Sequence, residues 1–324
     1  MDAAQEVIIP VVSAAGGAGK TTVTLLLAHF LSENNYGPIL MMDLDPTAGL
    51  SLRLMGDSAY YQYSNDGKTL SGMFIDYQQG KSIDLLQYAA QIKAVKARFS
   101  EIEVTELLYD TYILPPGEDL MDIFTNFSTT GVGIPEALWG LLKAANISAF
   151  NTIIIDTAPF FDMRYTLAAV YGSERSLVVA RPTLTDLVRT SRMIQSIDSK
   201  MRLYDPDKPH RYSILFNFNH NLLVREASTI GELGIKVLSR KGEVAKKAKP
   251  DNELKSILEK MIKMGRGSID TIMTALSYFK DYSDESFPKY KLPMESYGSA
   301  CKPISQALRE FGREIKCNID VEEM

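Results

Sequence analysis

The chain has 324 residues, of which 45% are hydrophobic and 23% are charged, and its formal net charge is −5. This composition is typical of a globular protein with a sizeable core, and it excludes a chain that is disordered as a whole. Because the balance is acidic, any contact with nucleic acid has to come from a local basic patch. Cys301 and Cys317 are too few for a disulfide framework, and no apolar run is long enough for a membrane span. We therefore expect a soluble cytoplasmic protein with no membrane partner.

The first predicted element is a strand over 7–12, which leads into a glycine-rich segment and then a helix that starts near Lys20. Glycines allow the backbone to fold so tightly that successive N–H groups face phosphate oxygens, and the helix N-terminus adds a positive dipole. A lysine and a threonine at the start of that helix are placed to contact the outer phosphates and Mg²⁺. The segment 13–22 therefore predicts a phosphate-binding loop, in which Lys20 contacts phosphate and the Thr21 hydroxyl binds Mg²⁺.

Two carboxylates follow the second predicted strand, which covers Ile39 to Met42. Carboxylates belong at the end of a buried strand only where a cation or a bound water requires them. Beside a phosphate and Mg²⁺, Asp45 could orient the water that attacks the γ-phosphate, and Asp43 could hold a metal-bound water. An Asx turn before Pro46 is the simpler explanation of Asp45, but it explains the pair poorly.

A third apolar run, Ile153 to Ile155, ends in Asp156. An acid at this position is expected to contact the direct ligands of Mg²⁺ and not the ion itself. Residues 157–162 would then form the switch that senses the γ-phosphate. Two later runs, 177–180 and 214–216, extend the alternation of short strands and helices. The pattern predicts an α/β fold in which a mostly parallel twisted sheet carries helices on both faces, as in a three-layer P-loop NTPase.

We expect one P-loop ATPase domain over 1–324, with two segments that stand out from it. Between about 50 and 149 the strand signal is weak, and the pattern indicates a mainly helical insertion. From about 236 to 280 the pattern is again mainly helical and also basic, with ten basic against four acidic residues between Lys236 and Arg266. Such a segment is either a solvated helix surface or a contact for the phosphate backbone of DNA. The candidate DNA contacts are Lys246 and Lys247, with Lys200 and Arg202 as a second group.

Taken together, the glycine loop, the Asp-x-Asp-Pro motif at 43–46 and the Ile-Ile-Ile-Asp-Thr-x-Pro segment at 153–159 resemble the ParA/MinD family of deviant Walker ATPases. Within that family the chain looks like a ParA-type partition ATPase. The resemblance implies an ATPase that uses ATP and Mg²⁺, forms a homodimer on binding ATP, and binds DNA without sequence preference. It also implies that a ParB-like centromere-binding partner stimulates hydrolysis, and that the ATP-bound form lies on the nucleoid during plasmid or chromosome segregation.

The resemblance further implies roles for individual residues. The expected catalytic residues are Lys20, Asp43 and Asp45. The expected metal site consists of Thr21 and Asp156. Asn217 follows a late strand at a position that contacts adenine in the family, although capping of the strand end explains it equally well. Pro293 belongs to a weaker island of similarity over 292–304. The expected ATP contacts are Gly16, Gly17, Ala18, Gly19, Lys20, Thr21, Thr22, Asn217 and Pro293.

The chain departs from the family pattern at the start of the loop. The lysine that reaches across the family's dimer to the partner's phosphates falls on Ala15, and the glycine before it falls on Ala14. Loss of a cation that acts in this way costs on the order of 10³ to 10⁵ in turnover unless another group replaces it. We hypothesise that Arg164, just after the predicted switch, is the replacement.

Other functions remain open at this stage. A MinD-like positioning ATPase would need a basic amphipathic C-terminal helix, whereas the apolar stripe from Ile304 to Ile315 carries a mixed polar face and precedes an acidic tail. A nucleotide-gated scaffold would bind ATP and assemble with little hydrolysis, which agrees with Ala15 but leaves Asp43 and Asp45 unexplained. A small-molecule P-loop kinase fits less well, because the Asp-x-Asp-Pro motif belongs to the partition family.

Overall fold

The computed structural model describes residues 7–33, 35–99, 102–130, 133–181, 184–204, 210–216, 236–238 and 269–274. The strands are β1 (Val7–Val12), β2 (Ile39–Leu44), β3 (Ala90–Phe99), β4 (Ile102–Leu114), β5 (Thr152–Thr157), β6 (Arg175–Ala180), β7 (Arg211–Phe216), β8 (Lys236–Leu238) and β9 (Ile269–Thr274). The helices are α1 (Lys20–Glu33), α2 (Gly49–Met55), α3 (Asp57–Asn65), α4 (Leu70–Gln78), α5 (Leu120–Thr130), α6 (Ile134–Ala144), α7 (Met163–Tyr171) and α8 (Leu184–Tyr204). Two short 3-10 helices cover Leu85–Gln87 and Ile147–Ala149.

The nine described strands form one sheet in the order β3-β4-β2-β5-β1-β6-β7-β9-β8. All neighbouring strands in it are parallel except β3 and β4, which are antiparallel. Helices supply the crossovers that parallel strands require, with α1 between β1 and β2, α7 between β5 and β6, and α8 between β6 and β7. The predicted α/β fold with a mostly parallel sheet is therefore confirmed.

The core lies on both faces of the sheet. Every residue of β2 and of β5 is buried, as expected for parallel strands that are covered on two sides. Along β2, Ile39 and Met41 pack in a cluster with α1, whereas Leu40 and Met42 pack in a second cluster with α4 to α7. This alternation follows from the two-residue period of a strand, and it produces the three layers of the predicted fold.

The segment 50–149 differs from the expected insertion. It contains most of α2 and the whole of α3 to α6, but it also contains the strands β3 and β4. Because β4 pairs in parallel with β2, the segment extends the main sheet instead of standing apart from it. The sequence pattern missed these strands because β3 and much of β4 alternate apolar with charged residues, as strands at a sheet edge do, and so contain no continuous apolar run.

The basic segment at 236–280 was expected to be mainly helical. The parts of it that the structure describes are both strands, β8 and β9, which pair with each other in parallel. A search of the described helices finds none with the length and apolar character needed to cross a membrane.

Candidate nucleotide-binding site

The predicted phosphate-binding residues meet at the carboxyl ends of the central strands. Pairing of β1 with β5 places Val11 beside Asp156, and pairing of β2 with β5 places Asp43 beside Asp156. Segment 13–19 follows β1 directly and leads into α1, whose first residue is Lys20. The parallel register therefore gathers three distant parts of the chain at one edge of the sheet. In open α/β sheets, ligands bind at this edge.

The loop between β1 and α1 has the backbone that a phosphate cradle requires. Gly17 has a φ of 70° and Gly19 has a φ of 94°, in the left-handed region that favours glycine. A methyl group added at Gly17 would meet no described atom within 4 Å, and one added at Gly16 would meet Pro159 Cγ at 3.9 Å. The surface of the loop is thus open to a ligand, which fits the binding of a phosphate chain by backbone N–H groups.

The Lys20 ammonium lies within this loop. The residue is 7% exposed, and its Nζ donates a hydrogen bond of 3.0 Å to Ser13 Oγ. Burial lowers the pKa of Lys20, while the negative charges of Asp156 and Asp45 act in the opposite direction. An ammonium group has three hydrogens to donate, so Lys20 retains the capacity to bind phosphate oxygens as well.

Asp43 and Asp156 form a pair of buried carboxyl groups on adjacent strands, and they are 0% and 1% exposed. Burial, and after it the charge of Asp156, raises the pKa of Asp43 to about 8. Burial is also the main cause that raises the pKa of Asp156 to about 6. Because burial and like charge both disfavour the ionised forms, a cation beside the pair would stabilise them. The pair therefore has the chemistry of a cation site.

Asp43 is fixed by hydrogen bonds at both of its oxygens. Oδ1 accepts one from the backbone N–H of Asp45, at 3.2 Å, and Oδ2 accepts two from Ser51, at 2.9 Å from its N–H and 2.8 Å from its hydroxyl. Each of these bonds lowers the pKa of Asp43 against the larger effect of burial. Ser51 lies in α2, so the carboxyl group also ties β2 to the helix that follows it.

Asp156 contacts the start of α1. Its Oδ1 accepts a hydrogen bond of 3.3 Å from Thr24 Oγ1. A hydrogen bond from Thr21 and the charge of Lys20 lower its pKa against the effect of burial. The structure thus brings together Thr21 and Asp156, the two residues expected to hold Mg²⁺. Hydroxyl and carboxylate oxygens are ligands that Mg²⁺ prefers, and together with the raised pKa of both buried acids they show that this donor set fits a divalent cation.

Asp45 forms the turn that the sequence offered as its simpler explanation. Its Oδ1 accepts hydrogen bonds from the N–H of Thr47, at 2.9 Å, and from the Thr47 hydroxyl, at 2.8 Å, which is the expected Asx turn. Its charge opposes the lowering of the Lys20 pKa by burial, and it adds to the effect of burial that raises the pKa of Asp156. The turn holds the carboxylate at the edge of the site.

The expected switch, 157–162, is attached to the phosphate-binding loop. The Thr157 hydroxyl donates to the Val11 carbonyl at 2.9 Å, and the N–H of Phe160 donates to the Ser13 carbonyl at 3.1 Å. The segment ends at Asp162, whose side chain caps the N-terminus of α7. Between these anchors Phe161 is 87% exposed. The segment therefore connects the phosphate-binding loop to α7.

Arg164, the hypothesised replacement for the missing lysine, makes several contacts within its own chain. Its Nε and Nη2 donate to the two Asp162 oxygens, at 2.9 and 2.6 Å, and its Nη1 donates to the Thr125 hydroxyl at 3.0 Å. The guanidinium group therefore joins the start of α7 to α5. To reach the phosphates of a partner subunit, it would have to leave these contacts.

Sequence reasoning missed four residues that support the site. They are Ser13 beside Lys20, Thr24 beside Asp156, Ser51 beside Asp43, and Arg53, whose Nη1 lies 3.3 Å from Thr22 Oγ1. Thr24 is one helical turn after Lys20, which is a detectable signal for a side chain on the same face of α1. The contact of Ser51 depends on how α2 packs against β2, and the sequence carries no comparable signal for that packing.

Of the remaining candidate residues, the structure describes only Lys200 and Arg202. Asn217, Pro293, Lys246 and Lys247 lie outside the described residues. Lys200 and Arg202 are exposed near the C-terminal end of α8. Since α8 runs from the end of β6 back to the start of β7, these two residues lie toward the amino ends of the strands, away from the nucleotide site.

A glycine loop with a buried lysine at the start of the next helix, beside buried carboxyl groups on neighbouring strands, defines a P-loop nucleotide-binding protein. A protein family described as "AAA domain" matches residues 6–204, which is more than half of the chain, and the chain belongs to this family. A curated relative is the uncharacterized protein MJECL24 of Methanocaldococcus jannaschii, with 23% identity over 197 residues. That match covers 59% of this chain and 65% of the relative, so less than two thirds of the relative's length is spanned.

Three solved structures show the same fold. Apo McdA from Cyanothece has a TM-score of 0.58 and 15% identity, with 94% of this chain and 99% of that chain covered. The pNOB8 ParA bound to nonspecific DNA has a TM-score of 0.57 and 12% identity, with coverage of 96% and 99%. MinD from Pyrococcus horikoshii, complexed with Mg-ADP, has a TM-score of 0.52 and 19% identity, with coverage of 95% and 96%. The family match and the shared fold thus support the resemblance of the motifs to proteins of the ParA/MinD type.

Proposed function

We propose that this protein binds ATP together with Mg²⁺ and hydrolyses it to ADP and phosphate. The observation that carries the proposal is the cluster of Lys20, Asp43 and Asp156, three ionisable groups that are buried together beside an open glycine loop. A buried ammonium and two buried acids are each unfavourable alone, and a phosphate chain with its divalent cation complements all three. An ordinary turn between a strand and a helix has no need of such a cluster.

The chemistry of each residue suggests its role in binding or hydrolysing ATP. The loop amides and Lys20 would bind the phosphate chain, and Thr21 and Asp156 would hold Mg²⁺, which when bound neutralises phosphate charge. Asp45, at the edge of the site, would orient the attacking water and accept its proton. Asp43, held by Ser51, would keep its charge available to this arrangement once a cation has lowered its pKa.

Calorimetry tests the binding step. Mg-ATP and a nonhydrolysable analogue should both bind the wild-type protein, and Lys20→Ala should weaken binding by about a hundredfold or more, because a buried charge-assisted contact is lost. Lys143→Ala, the same change at an exposed position in α6, is the matched control and should bind as the wild type does. If folded wild-type protein gives no heat with either nucleotide, the proposal is wrong.

At the finer level, we propose a ParA-like cycle in which a homodimer forms on binding ATP and binds DNA without sequence preference. With a ParB-like partner, this cycle would segregate a plasmid or chromosome. The protein would be cytoplasmic, and its ATP-bound form would lie on the nucleoid. Support comes from the likeness to a ParA that was solved on nonspecific DNA and from the basic segment around Lys246 and Lys247. ATP-dependent retention of DNA should fall steeply as salt rises, since phosphate contacts release counterions.

Two double variants compare the candidate DNA contacts. Lys246→Glu with Lys247→Glu should abolish ATP-dependent DNA retention, whereas Lys200→Glu with Arg202→Glu tests the second group with the same change in charge. Retention that survives both double variants would overturn the assignment of DNA binding to these patches. ATP-dependent sedimentation with anionic liposomes, in place of DNA retention, would favour the MinD-like alternative.

A second candidate function is a nucleotide-gated scaffold with little hydrolysis. The observation that favours it is Ala15, which supplies no cation at the position where the resemblance expects one. Steady-state turnover with and without DNA and a partner separates the two functions, since a scaffold would bind ATP and stay near its basal rate. If Arg164 replaces the missing lysine, Arg164→Ala should lower stimulated turnover by about 10³-fold while leaving nucleotide affinity unchanged.

A further inference from the structure

Arg53, in α2, lies beside the start of α1 at the edge of the nucleotide site. Its Nη1 donates a hydrogen bond of 3.3 Å to Thr22 Oγ1. The residue is exposed, and this hydrogen bond is the only one that it forms with the part of the chain that the structure describes. A guanidinium group carries several N–H donors in a planar fork, so most of them are left for another partner.

The start of α1 also presents backbone donors at this point. The first hydrogen bond of the helix runs from the N–H of Val23 to the carbonyl of Gly19, at 2.9 Å. The N–H groups of the intervening residues, Lys20, Thr21 and Thr22, therefore have no acceptor within the helix. Such N–H groups, together with the helix dipole, favour an anion in front of them. The Arg53 guanidinium thus lies against a residue whose own N–H is one of these donors.

The packing of α2 fixes the position of Arg53. Leu50 is completely buried in a cluster with residues of α1, and Leu54 packs against the same cluster. Two residues before Arg53, Ser51 donates both its N–H and its hydroxyl to Asp43. The helix is therefore attached to α1 and to the strand end that carries the acid pair. This attachment places Arg53 beside the site in the structure as it stands.

The charge of Arg53 has no carboxylate in contact with it. The residue forms no ion pair within the described part of the chain. Burial lowers the pKa of Arg53 and the charge of Asp156 acts in the opposite direction, but an arginine keeps its charge at any physiological pH. Arg164, by contrast, donates to both oxygens of Asp162. Of these two arginines, Arg53 is the one whose donors are open to a ligand.

We propose that Arg53 binds an oxygen of the phosphate chain of an ATP molecule held by its own subunit. A guanidinium group suits this task, because it forms charge-assisted and often paired hydrogen bonds with phosphate. Arg53 would add a second positive charge to that of Lys20 and would partly offset the absence of a cation at Ala15. The inference rests on the proposed function, because it takes ATP to be the ligand of this site.

Arg53→Met tests the inference, because it removes the charge and keeps a long side chain. Calorimetry should show that it weakens the binding of a nonhydrolysable ATP analogue with Mg²⁺ by about tenfold or more, since a charge-assisted contact is lost. Arg53→Lys keeps the charge without the planar fork, so its affinity should lie between those of Arg53→Met and wild type. The melting temperature of both variants without nucleotide should stay within about 2 °C of wild type, because the lost hydrogen bond is exposed.

Arg192→Met is the matched control, since it makes the same change at an exposed position in α8. It should bind the analogue as the wild type does. If Arg53→Met also binds the analogue with wild-type affinity, the inference is wrong.

A second measurement uses the wild-type protein and needs no variant. Phenylglyoxal modifies exposed guanidinium groups, and mass spectrometry of the digested protein identifies the modified residues. The analogue with Mg²⁺ should protect Arg53 and leave the modification of Arg192 unchanged. If calorimetry shows that the analogue binds and Arg53 reacts equally fast with and without it, the inference is wrong while the proposed function stands. If the analogue gives no heat with folded wild-type protein, the proposed function itself fails.

Discussion

The pH dependence of folding stability is a direct test of the buried acid pair. In the folded protein the pKa of Asp43 is raised from 3.8 to about 8, so between about pH 5 and 7 the folded chain holds a proton here that the unfolded chain has released. Unfolding then releases this proton, and stability falls as pH rises, by about 1.4 kcal/mol per pH unit. Over the two pH units from 5 to 7 the loss is about 3 kcal/mol, a large share of the stability of a typical domain.

Asp43→Asn should remove this contribution, since an amide does not titrate in this range. Urea unfolding of nucleotide-free protein in EDTA, repeated from about pH 5 to 8, measures the free energy of unfolding. The free energy of unfolding should fall more steeply with pH in the wild type than in the variant, and the difference in slope should correspond to close to one proton. This difference does not depend on how much absolute stability the variant loses through its altered bonds to Ser51. Asp119→Asn, the same change at an exposed site, is the control, and its free energy of unfolding should have the same slope against pH as that of the wild type. Parallel lines for wild type and Asp43→Asn would refute the reasoning.

Four further predictions concern the buried acid pair and two glycines. Ser51→Ala should raise the pKa of Asp43 further and cost about 1 kcal/mol of stability, as carboxyl NMR titration and urea unfolding would show. Binding of Mg-ATP near pH 7 should release up to about one proton from the acid pair, which calorimetry in buffers of different ionisation enthalpy measures. Gly19→Ala should cost about 1 to 3 kcal/mol through strain at a φ of 94°, read from urea unfolding. Gly172→Ala should lower the melting temperature by several degrees, because its methyl group would overlap the indole of Trp139.

The centre of the fold could be predicted from the sequence because its signals are local. Short, continuous apolar runs lie within β1, β2, β5, β6 and β7, as is typical of strands that are buried on both faces. The left-handed backbone of the loop is also encoded locally, since Gly17 and Gly19 occupy the positions with positive φ. Lys20 and Asp156 follow from these elements, because parallel strands end at a common edge.

The parts that escaped prediction depend on contacts between distant residues. β3 and β4 lie toward the edge of the sheet, where charged residues alternate with apolar ones and the pattern resembles that of an exposed helix or loop. The tie between Ser51 and Asp43 depends on the packing of α2 against β2, and the contact of Arg53 with Thr22 depends on the packing of the same helix against α1. Neither contact produces a periodic pattern in the sequence from which it could be predicted.

The position of Lys200 and Arg202 constrains how ATP could control DNA binding. α8 has 21 residues, so its C-terminal end lies roughly 30 Å along the helix from its start near the carboxyl edge of the sheet. A nucleotide at the phosphate loop has no direct contact with a group that far away, so a local change of shape is a weak means of control. The proposed dimerisation on ATP would avoid this difficulty, because it would join two such basic patches into one bivalent surface and raise affinity without any new contact. If these two residues bind DNA, ATP should therefore control the binding through assembly of the dimer, and a monomer locked in its ATP-bound form should bind DNA no better than one without nucleotide.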